Sequence, residues 1–148
     1  MIQPLLLDLF CGAGGCAVGY NRAGFDVVGV DHRPMPRYPF PLIVDDALDV
    51  LRQLVSGWSI GPEMPGGRRF KMSDFAAIHV SPPCQRYSQT ARMTGNKERH
   101  PDLVGPTRKL LLAAAKPFVI ENVPGAPLEC PVIVCGLALG CGVKRHRL

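Results

Sequence analysis

The chain has 148 residues, of which 47% are hydrophobic and 20% charged, so it can build one apolar core and is not intrinsically disordered. Its 16 glycines and 15 prolines exclude a coiled coil or a bundle of long helices, and its apolar stretches are too short to span a membrane. The net charge of +5 is a mild bias toward polyanions, which nucleic acid would satisfy but which does not establish nucleic-acid binding.

The predicted elements alternate between strands and helices. In chain order we predict a strand at 5–10, a helix at 15–23, strands at 26–31 and 42–44, a helix at 47–55, a strand at 75–80, a helix at 106–115, and strands at 118–121 and 132–134. Gly24 is the predicted left-handed cap of the first helix. Irregular loops are predicted at 32–41, which holds four prolines, and at the basic segment 57–73. This alternation predicts an open, mostly parallel α/β sheet.

A glycine-rich turn, Asp8–Gly15 (DLFCGAGG), follows the first predicted strand. Doubly wound sheets bind nucleotides at this point, but the spacing differs from the dinucleotide pattern G-x-G-x-x-G. Asp31 ends the second strand, where its carboxylate can accept both ribose hydroxyls, and Asp46, read as the end of the third strand, can accept from an adenine amino group. The pattern predicts a site for an adenosine-containing cofactor without a pyrophosphate. The alternative is that the glycines only form a tight turn and the aspartates cap helices.

Two reactive side chains follow the next two strands of the predicted sheet. Cys84 comes after Pro82 and Pro83, whose rings stiffen the backbone and so fix the direction of the thiol. Glu121 ends an apolar strand, where poor solvation suits a proton donor. A thiol nucleophile, an acid and an adenosine cofactor together indicate covalent activation of an electron-poor ring. Taken singly, Cys84 also reads as a small buried hydrophobe and Glu121 as a loop cap.

Four segments together resemble the cytosine-5 methyltransferase family in order and spacing. They are Asp8–Gly15, Pro82–Gln85 (PPCQ), Glu121–Val123 (ENV) and Lys144–Arg147 (KRHR). The resemblance implies a Rossmann-like fold of the kind that binds S-adenosylmethionine, a mostly parallel sheet flanked by helices. It also implies that residues 1–148 are one catalytic domain of a DNA (cytosine-5) methyltransferase, with S-adenosylmethionine as cofactor and duplex DNA as partner.

The resemblance also implies a role for each motif. Cys84 attacks C6 of a flipped-out cytosine, while Glu121 protonates or hydrogen-bonds N3 and the exocyclic amine. Arg145 and Arg147 lie near the flipped nucleotide, and the loop 86–99 closes over the DNA. Cofactor contacts are expected from Phe10, Cys11, Gly12, Ala13, Gly14, Gly15, Asp31, His32, Asp46 and Pro83. Substrate contacts are expected from Gln85, Ser88, Asn122 and Val123. A solvated loop histidine is an equal reading for His32.

The sequence departs from the family pattern at two points. Val143 stands where the family has a glutamine, and the chain stops at Leu148, before a target-recognition region and a final motif. We therefore expect a C-terminally incomplete fold, of a short phage-type or truncated form, with a second polypeptide supplying the missing parts. The alternatives are an RNA cytosine-5 methyltransferase, a non-catalytic cofactor- or DNA-binding module, and one half of a split enzyme. Restriction–modification is the expected context.

The remaining cysteines and histidines are expected to play structural roles. The spacing of Cys130, Cys135, Cys141 and His146 lacks a zinc knuckle, so no metal site is predicted. Cys11 and Cys16 are expected to be small packing residues, and His79 a core or edge residue. Because no signal peptide is recognised, we expect a soluble, cytoplasmic protein with reduced thiols.

Overall fold

The computed structural model describes residues 2–61, 67–88, 93, 95 and 97–148. Its helices and strands are β1 (Leu5–Leu9), α1 (Gly15–Arg22), β2 (Asp26–Asp31), β3 (Leu42–Val44), α2 (Ala47–Val55), β4 (Phe75–Val80), α3 (Val104–Ala114), β5 (Phe118–Ile120), β6 (Val134–Cys135) and β7 (His146–Arg147). In the described part of the chain, no helix combines the length and apolar composition needed to cross a membrane.

Strands β1 to β5 form one sheet in the order β3-β2-β1-β4-β5. β1 pairs in parallel with β2 on one side and with β4 on the other, and β2 pairs in parallel with β3. The predicted α/β sheet is therefore confirmed. The strand order changes direction between β1 and β4, and sheets of this kind bind ligands beyond the carboxyl ends of the strands at such a point.

Both faces of the central strands are buried, as parallel sheets require. Leu6 and Val27 face a cluster that includes Ala17 of α1, and they are at most 3% exposed. The alternate residues of the same strands point to the opposite face. They are also buried: Leu7, Leu9, Val28 and Val30. These short apolar runs made the strands predictable from the sequence.

The chain divides into two compact units. The first comprises Met1–Val80 with Lys109–Val119, and the second comprises Ser81–Arg108 with Ile120–Leu148. Within the second unit, β6 and β7 pair antiparallel. Its apolar cluster is formed by Tyr87, Val104 and Ala126, with Val123 and Leu128 packed against it.

Several predicted boundaries are corrected by the backbone. β1 ends at Leu9 because Phe10 turns into the left-handed region, with φ 56°. α3 begins at Val104, two residues before its predicted start, and it ends at Ala114 because Ala115 also has a positive φ of 50°. Gly24, with φ 96°, has the predicted left-handed conformation.

Two further regions differ from expectation. The last predicted strand, 132–134, is wrong in its bounds, because the structure pairs Val134–Cys135 with His146–Arg147, which was not predicted as a strand. In the predicted loop 57–73, Ile60 and Phe70 form an antiparallel bridge and are buried, so part of this segment is ordered. The part at 62–66 lies outside the described residues.

Candidate functional site

The turn that the sequence singled out, here called the cofactor turn (Asp8–Gly15), has one open side and one packed side. A β-carbon on Gly12 or Gly15 would meet nothing within 4 Å. A β-carbon on Gly14 would lie 2.8 Å from Tyr38 Cδ2. Gly12 and Gly14 have φ of 52° and 86°, which favours glycine at both positions. The open side can therefore receive a ligand close to the backbone, while the packed side is already filled.

Asp31 holds the cofactor turn against the end of β2. Its Oδ2 accepts a hydrogen bond from the backbone N–H of Gly12 at 3.0 Å, and its Oδ1 accepts one from Arg33 N–H at 3.2 Å. His32 Nδ1, on an exposed side chain, lies 3.1 Å from the same Oδ1. A carboxylate offers about four acceptor positions. Gly12, Arg33 and His32 occupy three of these positions, so binding both ribose hydroxyls requires one of the three to be displaced. Displacing His32 costs the least free energy because its side chain is exposed.

Asp46 caps helix α2, as the alternative reading proposed. Its Oδ1 accepts hydrogen bonds from Leu48 N–H at 2.9 Å and Asp49 N–H at 3.0 Å. β3 ends two residues earlier, at Val44, so Asp46 does not end the strand as predicted. The cap itself does not occupy Oδ2, and a contact from Oδ2 to an adenine amino group stays a prediction.

The other first-unit positions divide between buried and exposed. Cys11 is 8% exposed and joins the apolar cluster around Leu6, so its packing role is confirmed. The same prediction for Cys16 is wrong, because this residue is exposed on the first turn of α1. Ala13 is exposed beside the open side of the turn, and Phe10 is half-buried.

Tyr38 was not singled out in the sequence, yet it contacts the cofactor turn at several points. Its hydroxyl donates a hydrogen bond to Asp8 Oδ2 at 3.4 Å, and it interacts with the thiol of Cys11. A β-carbon on Gly29 of β2 would lie only 2.4 Å from the Tyr38 Cζ. The ring therefore fills the space that side chains at Gly14 and Gly29 would need. A tyrosine in a proline-rich loop carries no sequence signal for such a contact.

Two buried titratable groups lie side by side in the sheet. Asp8 of β1 and His79 of β4 are register partners, and they are 1% and 3% exposed. Burial raises the pKa of Asp8 from 3.8 to about 7, against the lowering effect of the Tyr38 hydroxyl, and the nearby Asp31 raises it further. Burial lowers the pKa of His79 from 6.5 to about 4. Tyr20 of α1 places its hydroxyl 3.2 Å from His79 Nδ1. The prediction of His79 as a core residue is confirmed.

These opposite shifts predict opposite effects of pH on stability. Between pH 3.8 and about 7 the unfolded chain loses a proton that folded Asp8 keeps, so Asp8 lowers the free energy of unfolding as pH rises. The wild type carries this loss and Asp8→Asn does not. We therefore expect the free energy of unfolding of Asp8→Asn to rise relative to that of the wild type by about 1.4 kcal/mol per pH unit between pH 4.5 and 6.5. Urea unfolding at pH 4.5, 5.5 and 6.5 measures it.

The matched variant of the second group should give the opposite sign. Folded His79 stays neutral down to about pH 4, whereas the unfolded chain takes up a proton below pH 6.5. His79 therefore raises the free energy of unfolding as pH rises. The free energy of unfolding of His79→Gln should fall furthest below that of the wild type near neutral pH. Equal pH profiles for Asp8→Asn and the wild type would show that Asp8 does not keep its proton.

In the second unit, Cys84 precedes a short 3-10 turn at Gln85–Tyr87. The turn is closed by a hydrogen bond from Tyr87 N–H to Cys84 O at 3.0 Å, and the Ser88 hydroxyl donates to Gln85 O at 3.0 Å. Cys84 and the preceding Pro83 are half-buried, and the Gln85 side chain is exposed. The thiol is thus carried by an ordered backbone and is partly accessible to solvent.

Asn122 joins three of the predicted motifs within the second unit. It is 1% exposed, and its Nδ2 donates a hydrogen bond to the carbonyl of Pro82 at 3.0 Å. Its Oδ1 accepts from Val123 N–H at 2.8 Å. Its backbone exchanges two hydrogen bonds with Leu148, of 3.1 and 2.9 Å. Asn122 thereby connects the PPCQ loop, the ENV segment and the end of the KRHR segment, and its side chain is engaged within the protein.

Glu121 and Arg147 form an ion pair within the second unit. Arg147 Nε lies 2.7 Å from Glu121 Oε1, and the two side chains are 29% and 34% exposed. The Glu121 carboxyl group is thus engaged by Arg147 in the free chain, and its role as a proton donor stays a prediction. Arg145, the other arginine of the motif, is exposed.

The segment after Cys84, which was expected to close over DNA, is held by contacts within the second unit. Arg86 Nη1 donates to His100 O at 2.9 Å, and Arg86 also lies 4.0 Å from Asp102. The buried Tyr87 hydrogen-bonds to Asp102 through its hydroxyl. Arg86 is therefore an internal anchor in this conformation. Arg92, within the loop 86–99 that was expected to close over the DNA, lies outside the described residues.

Two other predictions concern the second unit. Val123, an expected substrate contact, packs against the apolar cluster of Tyr87, Val104 and Ala126, so its substrate role stays a prediction. Across the described ranges, no three His, Cys, Asp or Glu side chains converge to hold a metal ion.

Sequence comparison places this chain among methyltransferases. The family model for C-5 cytosine-specific DNA methylase matches residues 5–127. The KRHR segment lies beyond the matched residues. The chain is 30% identical over 137 residues to type II methyltransferase M.XorII of Xanthomonas oryzae pv. oryzae, covering 84% of this chain and 29% of the relative. It is 25% identical over 120 residues to M.DdeI of Desulfomicrobium norvegicum, covering 81% and 28%. The chain thus spans less than a third of the length of these curated relatives.

Structure comparison agrees on the fold. The methyltransferase EhMeth of Entamoeba histolytica aligns with 99% of this chain and 52% of its own chain, at a TM-score of 0.61 and 16% identity. This likeness shows a shared Rossmann-like methyltransferase fold, as the sequence predicted.

Proposed function

Because the chain belongs to the C-5 cytosine-specific DNA methylase family, we propose that it transfers a methyl group from S-adenosylmethionine to C5 of cytosine in DNA. We take residues 1–148 as the catalytic methyltransferase domain. The observation that carries the proposal is the junction at Asn122, whose side chain binds Pro82 O while its backbone binds Leu148. This junction supports a common role for the segments that bear Cys84, Glu121 and Arg147.

The first unit is suited to the cofactor of this family. The open side of the cofactor turn, at Gly12 and Gly15, leaves room for a ligand to approach the backbone. Asp31 would accept the ribose hydroxyls and Asp46 Oδ2 the adenine amino group. When bound, S-adenosylmethionine supplies an electrophilic methyl group. The remaining predicted cofactor contacts stay part of this proposal.

The second unit would act on the base. The Cys84 thiolate attacks C6 of the cytosine and forms a C–S bond, which moves electron density to C5. Glu121 would protonate or hydrogen-bond N3 and the exocyclic amine, and Arg147, whose Nε lies 2.7 Å from Glu121 Oε1, would orient its carboxyl group. Once C5 carries the methyl group, a water molecule takes the C5 proton, and the electrons of the C–H bond form the C5–C6 double bond and expel the Cys84 thiolate. The attack requires the base to leave the helical stack, since C6 is covered inside a duplex.

The experiment uses duplex DNA that contains 5-fluorocytosine, because fluorine cannot leave as a cation and the covalent adduct persists. With S-adenosylmethionine present, we expect a denaturant-resistant complex whose mass includes one DNA strand and one methyl group. A folded RNA of the same cytosine content is the second arm, and preferential capture of the RNA would contradict the DNA assignment. Cofactor binding by calorimetry without an adduct would favour a binding module over an enzyme.

A further inference from the structure

Tyr38 contacts the cofactor turn at its beginning, middle and end. Its hydroxyl meets Asp8 Oδ2 and the Cys11 thiol, and its ring lies against Gly14. The residue is only 9% exposed, and its backbone N–H donates to Met35 O at 2.9 Å, which fixes the loop that carries it. A rigid ring with three contacts to one turn restricts the conformations that the turn can adopt.

We propose that Tyr38 is a positioning residue for methyl-donor binding, which holds the cofactor turn in its open conformation through the hydrogen bond to Asp8. The inference rests on the proposed function only for the identity of the ligand. The ring contact itself explains why Gly14 is packed. The contacts of Tyr38 also give a role to Asp8, the buried carboxyl group at the start of the turn, which accepts the hydrogen bond from the Tyr38 hydroxyl.

The strength of this hydrogen bond depends on the charge of Asp8. A hydroxyl binds a carboxylate about twice as strongly as it binds a neutral group, and the pKa of Asp8 is about 7. The Tyr38 hydroxyl stays protonated, because burial and the charge of Asp8 raise its pKa. The contact should therefore tighten as pH rises through 7. The titratable groups that face this site are Asp8, Cys11, Tyr20, Asp31, Tyr38 and His79.

The first test measures the turn itself in the free chain. The amides of Cys11, Gly12 and Gly14 each donate a hydrogen bond within or next to the turn. In Tyr38→Phe, which keeps the ring and removes only the hydroxyl, we expect hydrogen exchange at these three amides to be about 10-fold faster at pH 8. Tyr20→Phe is the matched control, since it removes a hydroxyl that faces His79, and it should leave the three rates unchanged.

The second test measures S-adenosylmethionine affinity by calorimetry between pH 5.5 and 8.5. We expect Tyr38→Phe to bind about fivefold more weakly than the wild type at pH 8 and only about twofold more weakly at pH 5.5, where Asp8 is protonated. Asp8→Asn should make the Tyr38→Phe effect independent of pH. A general loss of packing would weaken binding equally at both pH values.

The outcomes separate this inference from the proposed function. If the wild type does not bind S-adenosylmethionine, the proposed function fails, while the exchange rates of the free chain still decide whether Tyr38 holds the turn. Exchange rates in Tyr38→Phe equal to those of the wild type would overturn the inference. So would a loss of affinity that is the same at pH 5.5 and pH 8.

Discussion

Cys84→Ser is expected to abolish covalent capture of 5-fluorocytosine DNA and to lower methyl transfer by about 10³-fold or more. The nucleophile of the proposed reaction is a thiolate, and a serine hydroxyl at neutral pH stays protonated and attacks C6 poorly. The change removes no large packing volume, because Cys84 is only half-buried. The free energy of unfolding should therefore change by no more than about 0.5 kcal/mol. Tritium transfer to DNA and gel-resolved adducts measure the effect.

The chain offers a matched control in Cys141. This thiol lies in the same unit, is exposed, and is 3.9 Å from the carbonyl of Leu139. Cys141→Ser should retain both methyl transfer and adduct formation. Adduct formation by Cys84→Ser, or its loss in Cys141→Ser alone, would place the nucleophile elsewhere.

The second large effect is expected from Gly29→Ala. A methyl group at this position would lie 2.4 Å from the Tyr38 Cζ and hydroxyl, and the buried ring cannot move without leaving Asp8 and Gly14. Such overpacking costs about 2–3 kcal/mol, more than the small gain that alanine brings to a strand. We expect urea unfolding to show this loss.

Two further variants isolate the cause of that loss. Gly19→Ala, in helix α1, adds a methyl group that meets nothing within 4 Å, and it should stabilise the chain by about 0.5–1 kcal/mol. Combined with Tyr38→Ala, Gly29→Ala should cost almost nothing more, because the ring it strikes is gone. Full additivity of Gly29→Ala and Tyr38→Ala would show that the ring is not what excludes a side chain at Gly29.

The sheet could be predicted because its information is local. Runs such as Leu5–Leu9 and Phe75–Val80 are mostly apolar, with one polar residue each (Asp8 and His79), and this composition indicates strands buried on both faces. The glycines after β1 mark the turn. The predicted ends of β1 and α3 were each one residue too late because of Phe10 and Ala115. Both adopt a left-handed backbone conformation, which is uncommon for phenylalanine and alanine and so could not be predicted from the sequence.

The candidate site was only partly predictable because its contacts join distant segments. The residue types of the cofactor turn indicated a ligand site, but the engagement of Asp31 by Gly12 and the position of Tyr38 depend on how β1 and β2 pair. In the same way, the ion pair of Glu121 with Arg147 depends on the chain turning back after β6 to form β7. No hydrophobic periodicity in the sequence predicts that turn.

The junction at Asn122 also bears on the order of folding. Its side chain meets Pro82 across 40 residues of chain, and its backbone pairs with Leu148, so neither contact can form within one local segment. Closing such loops lowers the conformational entropy of the chain before the stabilising contacts have formed. We therefore expect the contacts among the PPCQ, ENV and KRHR segments to form in a late step that follows formation of the local turns. Opening this junction breaks the contacts of Asn122 with Pro82 and with Leu148 together, while the pairing of β7 with β6 does not depend on them.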